Sequence, residues 1–189
     1  MEIFFVRHGE TDFNVAGRIQ GGMDIPLNNT GIEQANKLAE KCAENEMKFD
    51  AVFSSSKLRA SKTADIVSKR LGLHFEVVEG LEEIDLGEWQ GLTWAEVKEK
   101  YKDNYNEWFK NRRYTKVING ESHQDMIDRV FKALKKLIDL RHERILVVTH
   151  SAVIMCMQCI IKDVPFNEMT NYKPKNAELV KFDSQDFLI

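Results

Sequence analysis

The sequence has no long apolar run and little cysteine or proline, and each absence narrows the class of protein. The 189 residues include only three cysteines and three prolines. No stretch of about 18 apolar residues is present, and the chain does not start with a basic segment followed by a cleavable apolar one. We therefore expect neither a membrane span nor a signal peptide. A few unpaired cysteines are typical of reduced thiols, so we expect a cytoplasmic protein.

The charge balance argues against two classes of partner. The net charge is -3 at pH 7, with 43% hydrophobic and 30% charged residues. Nucleic acids and membrane surfaces attract a concentrated positive field, so we expect no nucleic-acid partner and no membrane partner. A chain of this length is expected to form one domain, residues 1–189, around one core. The sequence does not predict an oligomeric state.

Cys156 and Cys159 have the C-x-x-C spacing that also occurs in redox and zinc sites. They lie in an apolar segment, residues 153–161, with the pattern of a buried helix, and the chain has no second pair of ligands. We therefore interpret them as cysteines that pack in the core.

Strand and helix patterns alternate along the chain. Apolar, β-prone runs predict strands at residues 2–7, 51–54, 74–78, 145–148 and 179–182. Helices are expected from a capping box at Thr30, after Ser56, from a capping box at Thr93 to about Arg113, from Glu121 to about Leu140, and after His150. The first is expected to bury Ile32, Ala35, Leu38, Ala39 and Cys42, and the second to end at Gly72. This alternation predicts an α/β fold, a three-layer sandwich with a mostly parallel central sheet and helices on both faces.

Polar residues follow four of the predicted strands. The first strand ends in Arg7-His8, the second leads to Arg59, the third opens the loop that holds Glu83, and the fourth ends before His150. The carboxyl ends of parallel strands meet at one edge of a sheet, where α/β proteins bind ligands. We expect these side chains to form one site.

The residue types at this edge match what phosphoryl transfer requires. Arg7 and Arg59 each offer a planar fork of donors to phosphate oxygens. His8 is the candidate nucleophile, because a neutral imidazole is available near pH 7. His150 would donate a hydrogen bond to the phosphate, and Glu83 would protonate the leaving group and then activate water. This scheme needs no metal and no cofactor.

The same residues resemble the signature of the histidine phosphatase superfamily, the phosphoglycerate mutase-like proteins. The matching segments are Arg7-His8-Gly9-Glu10-Thr11, then Asn14, Gly17 and Gln20, Ser54 with Arg59, Glu83 with Gly87, Trp89 and Gly91, Gly120-Glu121-Ser122, and Thr149-His150. A bare Arg-His-Gly is a weak signal, but the ordered set spans nearly the whole chain.

The resemblance implies a role for each matched residue. His8 would be the phosphorylated nucleophile and Glu83 the acid and base, and the pocket for phosphate would include Arg7, Asn14, Gln20, Arg59 and His150. Many members place two glycines after the second histidine, where this chain has Ser151-Ala152. Either the backbone approaches the phosphate less closely at this point, or Ser151 caps the helix and adds a hydroxyl to the site.

Several residues have competing interpretations. Glu82 is a rival of Glu83 for the acid role, but only Glu83 has the superfamily's spacing to Gly87. A structural or solvated role is the default for three other histidines, His74, His123 and His142. Three tryptophans are expected to be core or capping residues rather than a substrate lid, namely Trp89, Trp94 and Trp108.

The stretch at about 92–119 is the expected lid or insert, rich in lysine, arginine and aromatic residues. Most of its charges are expected on a solvated helix face. If one face overhangs the pocket, Arg112 and Arg113 would hold a carboxylate or a second phosphate of the substrate.

Three functions remain open at this point. The first is a metal-independent phosphomonoesterase acting on a small phosphorylated metabolite through phosphohistidine. The second is a phosphoglycerate mutase, and the third a non-catalytic module that binds phosphate. Retention of His8, Glu83 and His150 argues against the third, and a short lid that excludes water poorly favours hydrolysis over the mutase. The compact chain also resembles α-ribazole phosphatases, although no residue singles out that substrate.

Overall fold

The structure, a computed structural model, describes residues 1–187. Its strands are β1 (Glu2–Arg7), β2 (Ala51–Ser54), β3 (Phe75–Val77), β4 (Arg144–Thr149) and β5 (Leu179–Asp183). Its α-helices are α1 (Asp12–Val15), α2 (Asn29–Glu44), α3 (Leu58–Leu71), α4 (Trp94–Lys100), α5 (Lys102–Lys110), α6 (His123–Asp139) and α7 (Ser151–Ile161). Segments of 3-10 helix lie at Gly87–Trp89, Phe166–Tyr172 and Ser184–Phe187.

The five strands form one sheet in the order β3-β2-β4-β1-β5. The first four are parallel, and β5 pairs antiparallel with β1 at one edge. Because β1 and β4 lie inside the sheet, both of their faces must be covered, which explains their continuous apolar sequences. The predicted mostly parallel sheet is confirmed.

Helices cover both faces of the sheet, as the three-layer prediction requires. Ile3, Phe5 and Val147 point to one face, where they join the core with α6 and α7. Val6 and Val148, one position further along the same strands, pack with α2 and α3 on the other face. This is the period-two alternation of a pleated strand, and here both faces are buried.

Cys42, Cys156 and Cys159 are buried free thiols. Burial raises the pKa of Cys156 well above its usual value, so its thiol stays protonated. The interpretation of the C-x-x-C pair as core residues is confirmed. No helix within residues 1–187 is long and apolar enough to cross a membrane.

The start of α2 differs from the prediction. Its N-cap is Asn28, whose side chain accepts from the Gly31 amide at 2.8 Å, so Thr30 is not the cap. Gly31 packs directly against the backbone of Glu10, and a Cβ there would lie 2.1 Å from the Glu10 carbonyl oxygen. Gly31 therefore takes the buried position on this face, and Ile32 is 36% exposed rather than buried.

The helical region after Thr93 is interrupted. Thr93 does form a capping box with Glu96, as predicted. The helix then breaks at Tyr101, whose backbone angles (φ -122°, ψ 39°) are not helical, and α5 ends at Lys110 rather than near Arg113. The next helix is capped by Ser122 and starts at His123, two residues later than expected.

Candidate active site

Three neighbouring parallel strands end at the same level of the sheet. Arg7 is in register with Thr149 across β1 and β4, and the His8 amide donates to the Thr149 carbonyl at 3.1 Å. On the other side of β4, the Ser55 amide donates to the Val148 carbonyl at 3.0 Å. The predicted meeting of strand ends is therefore confirmed for β1, β2 and β4.

A cavity of about 190 Å³ opens at this edge. Seven of the eight predicted site residues line it, namely Arg7, His8, Asn14, Gln20, Arg59, Glu83 and Ser151. The eighth, His150, is fully buried, and its ring centroid lies 5.3 Å from that of His8. Residues from widely separated parts of the chain thus share one concave site, the usual form of a small-molecule pocket.

The ring of His8 is held in one tautomer. Its Nδ1 lies 2.7 Å from the Gly9 carbonyl oxygen, which can only accept a hydrogen bond, so Nδ1 carries the proton. The other ring nitrogen, Nε2, then keeps its lone pair. Burial, together with the charges of Arg59 and Arg7, holds the pKa of His8 well below its usual value. His8 is therefore a neutral imidazole with a free nucleophilic nitrogen.

Arg7 and Arg59 place two buried cations at the cavity. The Nη1 of Arg7 donates to the Pro174 carbonyl at 2.8 Å, and Arg59 donates to the carbonyls of Met23 at 2.6 Å and Gly21 at 2.9 Å. In the described part of the chain, neither Nε has a hydrogen-bond partner. Burial lowers the pKa of both groups, but arginine stays charged at any physiological pH. Unsatisfied donors on two buried cations favour an anion in the cavity.

The Glu83 carboxylate is fixed by backbone amides. It accepts hydrogen bonds from Ala152, in the first turn of α7, at 3.1 Å and from Ile84 at 3.2 Å. Arg129 donates to the Glu83 carbonyl at 2.9 Å and so holds the backbone. Burial raises the pKa of Glu83, although Arg59 and the two amides oppose the shift. A carboxyl group whose pKa is shifted towards neutrality can exchange a proton with a reacting group.

Glu82 has a different environment. It accepts from the Ser56 hydroxyl at 2.9 Å and from the Gly80 amide at 2.7 Å, and it lies 3.8 Å from Arg129. Burial alone would raise the pKa of Glu82, but these hydrogen bonds outweigh burial and lower it. A fully ionised, hydrogen-bonded carboxylate outside the cavity wall is a poor proton donor, which favours Glu83 over Glu82.

His150 is held by Ser55. Its Nε2 lies 2.8 Å from the Ser55 hydroxyl, which also accepts from the Lys57 amide at 3.3 Å. Because the Ser55 oxygen accepts from the Lys57 amide, its own proton can be donated to Nε2 of His150. The ring proton of His150 is then on Nδ1. That Nδ1 is buried and has no partner within residues 1–187. Burial and the charge of Arg59 keep the pKa of His150 well below its usual value.

Ser151 is the first residue of α7, and His150 is the N-cap. The expectation that Ser151 caps the helix is therefore wrong, and the residue lines the cavity. Gln20 is 8% exposed, and its Oε1 is buried without a partner in the described residues. The groups of these two residues that can donate to a bound anion are the Ser151 hydroxyl and the Gln20 NH₂.

The rest of the cavity wall comes partly from the stretch after Thr93. Trp94, Trp108, Arg112 and His123 all line the cavity. The Arg112 guanidinium lies 4.5 Å above the Trp108 ring, a cation–π contact, and its Nε is buried without a partner in residues 1–187. This part of the site offers an aromatic wall and a cation.

Some of these residues were assigned other roles on sequence alone. Trp89 and Trp108 are buried in the core as expected, although Trp108 also lines the cavity. Trp94 is 39% exposed and lines the cavity, so it is not a core residue. His123 is buried and structural, with its Nδ1 2.9 Å from the Arg112 carbonyl, but it also lines the cavity. The signal in the sequence that could have placed His123 near the site was its position directly after the matched segment Gly120-Glu121-Ser122, where α6 begins.

Arg112 and Arg113 have separate environments despite being neighbours in the sequence. Arg113 donates to the Gln124 side chain at 2.7 Å and lies 5.2 Å above the Phe166 ring. Arg113 is not part of the cavity wall. Of the two arginines considered together on the sequence, only Arg112 lies where a substrate would meet it.

Comparison with known proteins identifies the family. A profile of the histidine phosphatase superfamily (branch 1) matches residues 3–187. The chain belongs to the histidine phosphatase superfamily. The resemblance noted in the sequence is therefore confirmed, and so is the phosphoglycerate mutase-like fold that it implies.

Relatives within the superfamily include several named phosphatases. An Arabidopsis thaliana metal-independent phosphoserine phosphatase is 39% identical over 81% of this chain, which spans 65% of that relative's length. The crystal structure of the alpha-ribazole phosphatase from Shigella flexneri has a TM-score of 0.84 at 27% identity and covers 97% of this chain and 90% of its own. A mutant phosphoserine phosphatase from Entamoeba histolytica, solved with phosphoserine, has a TM-score of 0.78 at 27% identity over 96% and 90% of the two chains.

Proposed function

We propose that this protein is a metal-independent phosphomonoesterase that hydrolyses a small phosphorylated metabolite through a phosphohistidine on His8. One observation carries the proposal. The Nδ1 of His8 is committed to the Gly9 carbonyl, so its lone pair is on Nε2, in a cavity that also holds two buried arginines and Glu83. The names of relatives in the superfamily support a phosphatase.

In the first step, the Nε2 lone pair of His8 attacks phosphorus and the bond from phosphorus to the ester oxygen breaks. Protonated Glu83 gives its proton to the leaving alkoxide. Arg7 and Arg59 would bind the equatorial oxygens, whose charge must be stabilised in the transition state. The Gly9 carbonyl stabilises the positive charge that forms on the phosphorylated ring, because it accepts from Nδ1–H.

In the second step, the Glu83 carboxylate takes a proton from water, and the hydroxide attacks phosphorus. The bond between phosphorus and Nε2 breaks, phosphate leaves, and His8 returns to its neutral form. We assign to His150 a hydrogen bond from Nδ1–H to a phosphate oxygen, because that atom is the unpartnered nitrogen of the ring. Asn14, Gln20 and Ser151 would add neutral donors to the same group.

We propose that residues 92–119 act as the lid of a single histidine phosphatase domain, residues 1–189. The lid contacts the loop that follows α1. The Ile19 amide donates to the Leu92 carbonyl at 2.9 Å, and Arg18 forms an isolated antiparallel β-bridge with Thr93. We expect a lid of two short helices to exclude water from the phosphoenzyme less well than a larger one, which favours hydrolysis over return of the phosphoryl group to a product.

We further propose that the substrate carries a second anionic group on the leaving side. Arg112 supports this, as a cavity cation with an unsatisfied Nε. Phosphoserine, the compound bound to the Entamoeba relative, is one ester of this class. The matched test compares Arg112→Met with Arg113→Met. We expect Arg112→Met to raise KM about tenfold or more for phosphate esters whose leaving group carries a carboxylate, but not for esters with an uncharged leaving group. We expect Arg113→Met to leave KM unchanged for both kinds of ester. Equal effects of the two variants would contradict the assignment.

The experiment that tests the function measures phosphate release from a panel of phosphomonoesters in excess EDTA. The panel includes phosphoserine, 3-phosphoglycerate, an α-ribazole phosphate and an aryl phosphate, with His8→Ala in parallel. We expect rapid release by the wild type and none by the variant. Conversion of 3-phosphoglycerate to 2-phosphoglycerate without release would instead support the mutase, and no turnover of any ester would support the binding module.

A further inference from the structure

A short segment near the end of the chain contacts three residues of the proposed phosphate site. Pro174 accepts from the Arg7 side chain at 2.8 Å through its carbonyl, and the Ala177 amide donates to the Arg7 carbonyl at 2.9 Å. Between them, the Asn176 Nδ2 donates to the His8 carbonyl at 3.0 Å and to the Oδ1 of Asn14 at 3.3 Å. One side-chain amide therefore links the proposed nucleophile's backbone to a second cavity residue.

The orientation of both amide groups follows from their partners. The His8 carbonyl can only accept, so the atom of Asn176 that faces it is Nδ2. The Thr11 backbone amide can only donate, so the atom of Asn14 that lies 3.1 Å from it is Oδ1. The second contact of that Oδ1, from Asn176, agrees with this assignment.

The consequence concerns the other end of the Asn14 side chain. Its Oδ1 is occupied by two donors, so its NH₂ group is the end that remains for a ligand, and Asn14 lines the cavity. If the amide turned over, its NH₂ would meet two N–H donors and its oxygen would be offered to the phosphate, which is also an acceptor. Both changes are unfavourable.

We propose that Asn176 is a positioning residue, which keeps the NH₂ group of Asn14 aimed at the phosphoryl oxygens and holds the His8 main chain in place. The inference rests on the proposed function, since it concerns the same phosphate site. Asn176 acts through its two partners and does not line the cavity itself.

The test is Asn176→Asp, which keeps the shape and replaces the donor by an acceptor. At neutral pH the new carboxylate would face two oxygens, those of His8 and Asn14, and would favour the wrong orientation of Asn14. We expect kcat to fall about tenfold to a hundredfold, the usual cost of a misplaced group. Asn171→Asp is the matched control, because Asn171 is exposed on the preceding 3-10 segment and the charge change is the same.

The pH dependence separates positioning from a general loss of structure. When the carboxylate introduced by Asn176→Asp is protonated, it again carries a donor, so the ratio of variant to wild-type kcat should rise towards one as the pH falls. A ratio that stays constant with pH, or an Asn176→Asp variant with wild-type kcat, would overturn the inference. If Asn176→Asp does not fold, Asn176→Ala is used in the same assay. A wild-type kcat in Asn176→Ala would also overturn the inference.

A binding measurement keeps this inference separate from the proposed function. Inorganic phosphate is added to ¹⁵N-labelled protein, and the side-chain NH₂ signals of Asn14 are followed. We expect them to shift in the wild type and in Asn171→Asp, and to shift much less in Asn176→Asp. Absence of ester hydrolysis by the wild type would refute the function alone, whereas an equal shift in all three proteins would refute the role of Asn176.

Discussion

His123 makes the folding stability depend on pH in a way that can be calculated. The ring is 2% exposed, and its Nδ1 donates to the Arg112 carbonyl at 2.9 Å. Burial and the nearby charge of Arg112 lower its pKa from 6.5 to about 3. In the unfolded chain it would take up a proton below its ordinary value of about 6.5. Between these two values the unfolded state binds more protons, so stability is lost as the pH falls.

The size of the loss follows from the two pKa values. At pH 5 nearly all unfolded chains carry the proton on His123 and almost no folded ones do. The linkage relation then gives a loss of about 2 kcal/mol in the free energy of unfolding between pH 7 and pH 5 from this residue alone. The pKa values of His8 and His150 are lowered in the same direction, so these two residues add to the loss.

The assay isolates the share of His123 by comparison with His123→Asn. Asparagine places an amide near the position of Nδ1 and can keep the bond to Arg112, but it does not titrate. Urea unfolding of both proteins at pH 7 and pH 5 gives the two losses. We expect the wild type to lose about 2 kcal/mol more than the variant. Equal losses would show that His123 does not stay neutral in the folded state, and would refute the reasoning.

Three further predictions concern the reaction. Glu83→Gln should lower kcat/KM, which reports the phosphorylation step, about 10² to 10⁴-fold for an alkyl phosphate and much less for an aryl phosphate, whose leaving group needs no proton; equal losses of kcat/KM for the two esters would exclude Glu83 as the acid. Arg59→Ala should lower kcat/KM about 10² to 10³-fold, because a preorganised cation is lost, and steady-state rates near those of the wild type would contradict its role. The plot of kcat/KM against pH should be bell-shaped, with its maximum at mildly acidic pH. Activity falls on the acid side as His8 takes up a proton, at a pH below the ordinary pKa of histidine because the pKa of His8 is lowered. It falls on the alkaline side as Glu83 loses its proton, at a pH above the ordinary pKa of glutamate because the pKa of Glu83 is raised. A profile that is flat from about pH 4 to 8 would contradict this pairing.

The parts of the fold that were predictable depend on local patterns. The apolar, β-prone runs of β1 and β4 are typical of buried strands. Gly72, with φ 70°, ends α3 in the left-handed conformation that glycine adopts easily. The capping box at Thr93 likewise needs only four neighbouring residues. Each of these signals lies within one short segment, so the sequence contains it completely.

The errors in the fold arise where a distant segment decides. Gly31 takes a buried position because the backbone of Glu10 lies against it, and no property of residues 28–33 reports that contact. Asn28 is the cap partly because Glu10 accepts from its side chain at 3.0 Å. Tyr101, where the helical region breaks, donates from its hydroxyl to Glu88 at 3.1 Å, a contact outside its own helix that the local pattern does not report.

The candidate site divides in the same way. Arg7, His8 and Glu83 could be named because they follow predicted strands, and parallel strands bring their ends together. His123 and Trp94 enter the cavity through the packing of helices, which periodicity alone does not orient. Asn176 has no motif around it, and its contact with His8 joins residues 168 positions apart.

The central claim is that His8 becomes phosphorylated during turnover, and trapping the phosphoenzyme tests it most directly. Wild-type protein, Glu83→Gln and His8→Ala are mixed with a turnover substrate, quenched in alkali within milliseconds to seconds, digested and mapped by mass spectrometry. We expect an alkali-stable, acid-labile phosphate on His8 and no phosphate at that position in His8→Ala. With an aryl phosphate, whose leaving group needs no proton, it should be more abundant in Glu83→Gln because activation of water is slowed. Full turnover without any phosphorylated His8, or turnover that survives in His8→Ala, would contradict the account.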